Sequence, residues 1–174
     1  MASRSGWVAA GCRYAATVTY DVHLVRRRPG CTLLETLEAI NADQNPDHDE
    51  PSVARLTAEH RAAWDRIVRR ATEEIGRVEM EEFRSGLTLR TQGPHAFQLD
   101  YDGESADISI PYHYAAEEAG AVLAKAYRLA RVVEEEAGLE GYDPQTDSPT
   151  AENDLASAVT EFTGIVQWTA ETLL

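Results

Sequence analysis

Side chains suited to proton transfer lie close together in one short segment of this chain. The segment Pro111-Tyr112-His113-Tyr114 is followed by Glu117. An imidazole, two phenols and a carboxylate can act as general acids and bases, and histidine titrates close to neutral pH. The same residue types also have structural uses, because Glu in the first turn of a helix complements the helix dipole. The segment predicts either an enzyme or small-ligand site around His113 or part of a binding surface.

A second group of polar residues alternates with apolar residues in segments that we predict to be strands. A period of two is typical of a strand with one wet face. The polar positions are Asp21, His23, Arg90, Gln98, Asp100 and Asp107. If helices cover mainly the apolar face of the sheet, the polar face is open to a partner. We therefore interpret Asp21, His23, Arg90 and Asp107 as candidate binding residues, together with Tyr112, His113, Tyr114 and Glu117.

Other common kinds of active site have no support in the sequence. It contains no G-x-G-x-x-G, Walker, G-x-S-x-G or H-E-x-x-H motif. Residues 43–50 combine four acidic residues with His48, but they lack the central Gly and the spacing of a calcium-binding EF-hand loop. We therefore predict no metal, no cofactor and no catalytic residue.

The elements that must position these residues follow from periodicity and capping signals. We predict a strand over Ala15–Arg26, a short helix opened by a Thr32/Glu35 capping box, and a long helix from Pro51 to about Phe83. A three-strand meander follows, with Asp102-Gly103 as a type I′ turn. A helix over about Tyr114–Ala137, a connector over Gly141–Pro149 and a last helix from Ser148-Pro149 complete the chain.

This order predicts an α+β fold. It consists of a strand, two helices, a three-strand meander and two helices, which form a small, mostly antiparallel sheet with helices packed mainly on one face. The predicted organisation is an N-terminal extension over residues 1–14, an α+β domain over 15–147, and a C-terminal helix over 148–174 packed on the same domain.

The charge of the chain is strongly acidic and unevenly distributed. Sixteen Lys and Arg face 30 Asp and Glu in 174 residues, a formal net charge of −14. The last 43 residues contain 10 acidic residues and no Lys or Arg. This balance argues against a nucleic-acid-binding protein, which needs a basic footprint. No apolar run reaches the ~18 residues expected of a membrane span.

The N-terminus and the cysteines favour the cytoplasm. The apolar stretch at Val8–Cys12 is shorter than the ~7–15 residues of a signal peptide, so residues 1–14 are either a small-residue extension, including an over-long start, or a targeting segment. Cys12 and Cys31 do not make a disulfide framework, and neither belongs to a Cys-x-x-Cys motif.

Two short segments and the acid-rich middle of the chain carry a resemblance to known proteins. Tyr20-Asp21-Val22, the acid-rich middle and Gly138-Leu139-Glu140-Gly141-Tyr142-Asp143-Pro144-Gln145 resemble small uncharacterised acidic α+β proteins of bacteria, some of which are of the immunity-protein type. The resemblance covers residues 15–147 and includes no known catalytic residue. It implies a binding protein.

The sequence thus leaves three interpretations. The leading one is a non-enzymatic, cytoplasmic interaction protein of the immunity or antitoxin-inhibitor type that binds a basic protein by charge complementarity. The alternative is a small-ligand-binding protein or enzyme with a site around His113. The third is a homodimer formed through the C-terminal helix, which ends in Trp168 and Leu173-Leu174.

Overall fold

A computed structural model describes residues 19–43 and 55–172 of the chain. Its elements are β1 (Thr19–Val25), α1 (Leu33–Asp43), α2 (Ala58–Ile75), β2 (Val78–Phe83), β3 (Gly86–Thr91), β4 (Gln98–Tyr101), β5 (Ser105–Pro111), α3 (Ala116–Ala137), β6 (Glu140–Asp143), β7 (Ser148–Pro149) and α4 (Leu155–Thr172). The predicted extension over residues 1–14, most of the acidic loop at 43–50 and the final Leu173-Leu174 lie outside the described residues.

The described strands form one antiparallel sheet with the order β2-β3-β4-β5-β1-β6-β7. The α+β class is confirmed, and the predicted meander is β3, β4 and β5. β1 pairs with β5 from Thr19 opposite Pro111 to Val25 opposite Ser105. Its other edge pairs with β6, so β1 is an interior strand. The sheet is larger than expected because β2, β6 and β7 join the four predicted strands.

One face of the sheet, called the inner face, packs against the helices α2, α3 and α4. α3 contacts β1, β5 and β6 as well as both other helices. The inner face carries Tyr20, Val22, Leu24, Leu89, Leu99, Ile108 and Ile110, none of which is exposed. Ala119, Ala126 and Ala130 of α3 are also fully buried, and their small side chains let the helix approach the sheet closely. Burial of each large apolar side chain contributes about 1.5–3 kcal/mol.

α1 packs against the opposite face, called the outer face, at one corner. Its Leu37 packs with Val25 and Tyr142, whose side chains point away from the inner core because side chains alternate along a strand. The predicted capping box is confirmed. The Glu35 N–H donates to the Thr32 hydroxyl at 3.2 Å, and the Thr32 N–H donates to the Glu35 carboxylate at 2.7 Å.

The predicted long helix is wrong at both of its ends. α2 begins at Ala58, where the Thr57 hydroxyl accepts the His60 N–H at 3.2 Å. It ends at Ile75, and Gly76 follows with a φ of +106°, which residues with a β-carbon disfavour. The chain then reverses into β2, which pairs with β3. β2 is an exposed edge strand rich in Glu, so it shows little of the alternation by which strands are recognised.

Two other boundaries also differ from the prediction. The predicted connector contains β6 and β7, and α4 begins at Leu155, not near Ser148-Pro149. The hairpin at Asp102-Gly103 is present, but the Asp102 N–H donates to the Ser105 carbonyl at 3.1 Å. Its two central residues are therefore Gly103 and Glu104, and the positive φ is that of Gly103, +99°. A type I′ turn needs a positive φ at both central residues, so the predicted turn type is wrong.

Candidate functional site

Strand pairing places most of the predicted polar residues side by side on the outer face. Asp107 of β5 lies opposite both His23 of β1 and Asp100 of β4. In the neighbouring row, Gln98 lies opposite Arg90, and Ser109 links Gln98 to Asp21. We call the set Asp21, His23, Arg90, Gln98, Asp100 and Asp107 the outer polar surface. The structure therefore brings together the four predicted strand residues, Asp21, His23, Arg90 and Asp107.

Hydrogen bonds connect the side chains of this surface. His23 Nδ1 lies 2.5 Å from Asp107 Oδ1. Asp100 accepts from the Gln98 amide at 2.7 Å, and the Gln98 oxygen accepts from Arg90 Nε at 3.1 Å. Arg90 also pairs with Glu81 of β2 at 2.7 Å. The bonds form two groups, His23 with Asp107 and a chain from Glu81 through Arg90 and Gln98 to Asp100. The Asp107, Arg90 and Glu81 side chains remain 47–48% exposed.

The electrostatics of the outer polar surface favour positive charge. Asp100 and Asp107 are directly opposite one another across two strands, an arrangement that is unfavourable for like charges. Burial lowers the pKa of His23, but the hydrogen bond and charge of Asp107, with the charges of Asp21 and Asp143, outweigh this effect and raise the pKa overall. The surface therefore stabilises a proton on His23 and would stabilise a cation supplied from outside.

The side chains of the predicted group around His113 point to different places in the structure. Tyr112 packs against the Phe162 ring of α4, with the ring centroids 4.9 Å apart. The Tyr114 hydroxyl donates to the Ala96 carbonyl at 2.5 Å, so this buried side chain points towards the turn between β3 and β4. His113 is exposed beside the Tyr114 ring, at a centroid distance of 4.2 Å, and Glu117 is exposed at the start of α3. The alternative site around His113 stays a prediction.

A buried carboxylate that the sequence interpretation missed lies on the helix-covered side of the sheet. Asp143 is fully buried at the end of β6. Its carboxylate accepts hydrogen bonds from the hydroxyls of Tyr20 and Tyr127, from the Asn153 amide at 3.0 Å, and from the backbone N–H groups of Gln145 and Thr146 at 2.8 and 3.3 Å. We call these residues the Asp143 cluster.

The Asp143 cluster connects several elements of the fold. Burial, followed by the charge and hydrogen bond of Asp143, raises the pKa of Tyr20, and burial with the Asp143 hydrogen bond raises the pKa of Tyr127. Both phenols therefore remain protonated donors. The cluster ties β1, α3 and the loop before α4 to β6. Asp143 directly precedes Pro144, and an Asp-Pro pair is the available sequence signal for such a turn.

The described residues give two further results. Within the described residues, 19–43 and 55–172, no group of three or more His, Cys, Asp or Glu side chains could hold a metal ion. Over the same ranges, no helix is long and apolar enough to cross a membrane. Comparisons of the chain with protein families, curated proteins and solved structures give no match. The functional assignment therefore depends on the geometry and charge of the surfaces above.

Proposed function

We propose that this protein is a non-enzymatic, cytoplasmic interaction protein whose outer polar surface binds a basic protein partner, in the manner of an immunity or antitoxin-type inhibitor. One observation carries the proposal: Asp100 and Asp107 lie directly opposite one another on the outer face, where the Asp107 side chain is 47% exposed. Like charges in this arrangement cost about 0.2–1 kcal/mol. A Lys or Arg side chain of a partner placed between the two carboxylates would remove that cost.

The neighbours of the two carboxylates support a protein as the partner. Asp21 adds negative charge in the next row, and Arg90 with its Glu81 partner lies at one end of the surface. Acidic and basic groups in fixed positions select a partner with the complementary arrangement and penalise others. A broad, hydrogen-bonded sheet face suits an extended protein contact better than it suits a small molecule, which needs a concave site.

The charge of the whole chain supports rapid association with a basic partner. The formal net charge is −14, and the last 43 residues contain no Lys or Arg. A field of one sign attracts an oppositely charged protein over a distance comparable with the Debye length, about 8 Å at physiological ionic strength. The association rate should therefore fall as salt is added.

The test uses the partner recovered with the tagged full chain, and association kinetics measured at increasing ionic strength. We expect the double variant Asp100→Lys/Asp107→Lys to slow association at least about tenfold at low salt, because it reverses the charge where the partner binds. The matched control is Asp65→Lys/Glu73→Lys, which makes the same change in net charge at two exposed positions of α2, away from the outer face.

The outcomes separate the surface from the overall charge. Loss of binding in Asp100→Lys/Asp107→Lys with near-normal binding in Asp65→Lys/Glu73→Lys supports the outer polar surface. Equal slowing in both variants would show that only net charge matters. Binding that is insensitive to both salt and the double variant would contradict the proposal.

A further inference from the structure

The two edges of the sheet differ in how well they are protected against pairing with another chain. One edge is β7, which has only two residues, and one of them is Pro149. A very short edge strand and a proline both prevent further pairing, since proline has no backbone N–H to donate. The opposite edge is β2, which has six residues and no proline and, among the described strands, pairs with β3 alone. The β2 edge can therefore accept a further strand.

The hydrogen-bond register shows which backbone groups of β2 are open. The Gln92 N–H donates to the Arg77 carbonyl at 2.9 Å, so the pair directly before β2 is a hydrogen-bonded pair. Hydrogen-bonded and non-hydrogen-bonded pairs alternate along an antiparallel ladder. Every second residue after Arg77 therefore bonds to β3, and the residues between them, Val78, Met80 and Glu82, direct their N–H and C=O groups away from the sheet. These groups are available to a strand that lies alongside β2.

Apolar side chains are exposed along the same edge. Met80 is 56% exposed and Phe83 is 49% exposed. Met80 lies opposite the fully buried Leu89, so it continues the inner face to the margin of the sheet. An apolar side chain from an added strand would pack beside Met80 and extend this face. A sheet edge with exposed apolar side chains favours pairing with another chain.

The charge of β2 is negative and only partly neutralised. Glu82 pairs with Arg61 of α2 at 2.8 Å, and Glu81 pairs with Arg90 of β3 at 2.7 Å. Glu79 lies opposite Arg90 on the outer face, but Arg90 bridges Glu81 instead. Within the described part of the chain, Glu79 forms no ion pair and no side-chain hydrogen bond. β2 itself contains no basic residue, so its outer side keeps an excess of negative charge.

This charge disfavours a second copy of the chain as the added strand. In antiparallel pairing of two β2 strands about a two-fold axis, each side chain stays on its own face of the sheet. The two registers with the fullest overlap are centred on Met80 or on Glu81. The first places Glu79 opposite Glu81 of the other copy, and the second places Glu81 opposite itself. Like charges directly opposite one another are unfavourable, whereas Lys or Arg at the same positions would be attracted.

We propose that β2 pairs with an extended segment of a basic protein, in which Lys or Arg alternates with apolar residues, as an additional antiparallel strand of the sheet. This inference rests on the proposed function, because the basic partner of the outer polar surface supplies the segment. Its basic side chains lie opposite Glu79 and Glu81 on the outer face, and an apolar side chain lies opposite Met80. Arg77 and Arg84 flank β2, so the basic part of the segment is confined to the length of β2.

The experiment titrates the full chain with a synthetic peptide and follows the backbone amide signals of the protein by NMR. The probe is the acetylated and amidated peptide Ile-Thr-Lys-Ile-Lys-Val, and the control peptide has Glu in place of both Lys residues. We expect the probe to bind with a Kd on the order of 1 mM and to slow the hydrogen exchange of the Val78, Met80 and Glu82 amides. The control peptide should bind at least about fivefold more weakly, because its carboxylates face Glu79 and Glu81.

Variants separate the backbone of β2 from its charge. Met80→Pro removes an outward N–H and keeps the bonds to β3, so the protein should fold, as urea denaturation can verify, and bind the probe at least about fivefold more weakly. Met80→Thr is the matched control, since it also loses the apolar side chain but keeps the N–H, and it should bind more tightly than Met80→Pro. Glu79→Lys should reverse the preference between the two peptides, whereas Glu161→Lys, an equal charge change at an exposed position of α4, should not.

Several outcomes would overturn the inference. Unchanged β2 amide signals at millimolar probe, or equal binding by Met80→Pro and Met80→Thr, would show that no strand is added at β2. Equal binding of the two peptides would remove the role of the glutamates. A dimer in light scattering that Met80→Pro dissociates would identify a second copy as the added strand.

The basic partner itself distinguishes this inference from the proposed function. Partner binding that is lost in Asp100→Lys/Asp107→Lys but unchanged in Met80→Pro would overturn the strand pairing and leave the proposed function intact. Probe binding at β2, with partner binding that is lost in Met80→Pro but unchanged in Asp100→Lys/Asp107→Lys, would support the strand pairing and contradict the outer polar surface as the main contact.

Discussion

The two faces of the sheet hold carboxylates in opposite ways. On the helix-covered side, Asp143 is fully buried and accepts hydrogen bonds from five donor groups. On the outer face, Asp107 is 47% exposed and lies between His23 and the like-charged Asp100. A buried charge is tolerable only when its hydrogen bonds are complete. Asp107 and Asp100 also have hydrogen-bond partners in His23, Thr88 and Gln98, but nearly half of the Asp107 side chain stays in solvent, where its charge can be recognised.

Because of this difference, the carboxylates on the two faces of the sheet have separate roles. The Asp143 cluster stabilises the fold, since it joins elements that are distant in the sequence. The outer polar surface contributes little to stability, because exposed ion pairs are worth about 0–1 kcal/mol. Substitutions in the Asp143 cluster should therefore mainly lower the free energy of unfolding, and substitutions on the outer polar surface should mainly weaken binding.

The largest effect on stability is expected from Asp143→Ala. The change leaves two phenols, an amide and two backbone N–H groups without their acceptor, at about 1–3 kcal/mol for each group that water cannot reach. We expect a loss of about 4 kcal/mol in the free energy of unfolding, measured by urea denaturation. Asp107→Ala is the outer-face control and should cost about 1 kcal/mol or less. Similar losses in both variants would remove the proposed distinction between the two faces.

Neighbouring residues of β5 give the second test. Ile108 points to the inner face and is fully buried, whereas Ser109 points outwards. Ile108→Ala should cost about 3 kcal/mol because it removes buried methyl groups and leaves a cavity. Ser109→Ala should change the free energy of unfolding by no more than about 0.5 kcal/mol. A large loss at Ser109 would mean that the outer face is packed more tightly than its exposure indicates.

The sequence was sufficient for much of this fold. Alternation identified β1 and the meander, and the Thr32/Glu35 capping box identified the start of α1. β2 was missed because Glu79-Met80-Glu81-Glu82 extends the polar pattern of the preceding helix, and Gly76 was not recognised as a break. β6 has only four residues. A strand this short shows too little periodicity, and pairing with β1 stabilises it.

The sites depend on contacts that spacing cannot reveal. Asp21, His23, Arg90 and Asp107 could be placed on one face because alternation alone fixes the face. Their order across the sheet depends on strand pairing, which places Asp107 beside His23. The Asp143 cluster is less predictable still, because Tyr20, Tyr127 and Asn153 come from separate elements.

A smaller effect is expected from the pH dependence of His23. Its pKa is raised in the folded protein above the ordinary value of 6.5. The protonated form therefore stabilises the fold fully below 6.5, and this contribution disappears as the pH rises through the raised pKa. We expect His23→Gln to lose about 1 kcal/mol relative to wild type near pH 6 and less near pH 9. Denaturation at both pH values checks the sign, and a difference that grows with pH would contradict it.

The smallest effect on stability, and the sharpest comparison, is expected from Asp100→Asn. The change removes the repulsion between Asp100 and Asp107 and should stabilise the fold by about 0.5 kcal/mol at low salt. Salt screens exposed charges, so the gain should shrink as ionic strength rises. The same variant should bind the basic partner more weakly, because one of the two carboxylates is neutral. Higher stability together with weaker binding would show that the repulsion serves recognition, whereas lower stability would show that Asp100 matters mainly through its bonds to Thr88 and Gln98.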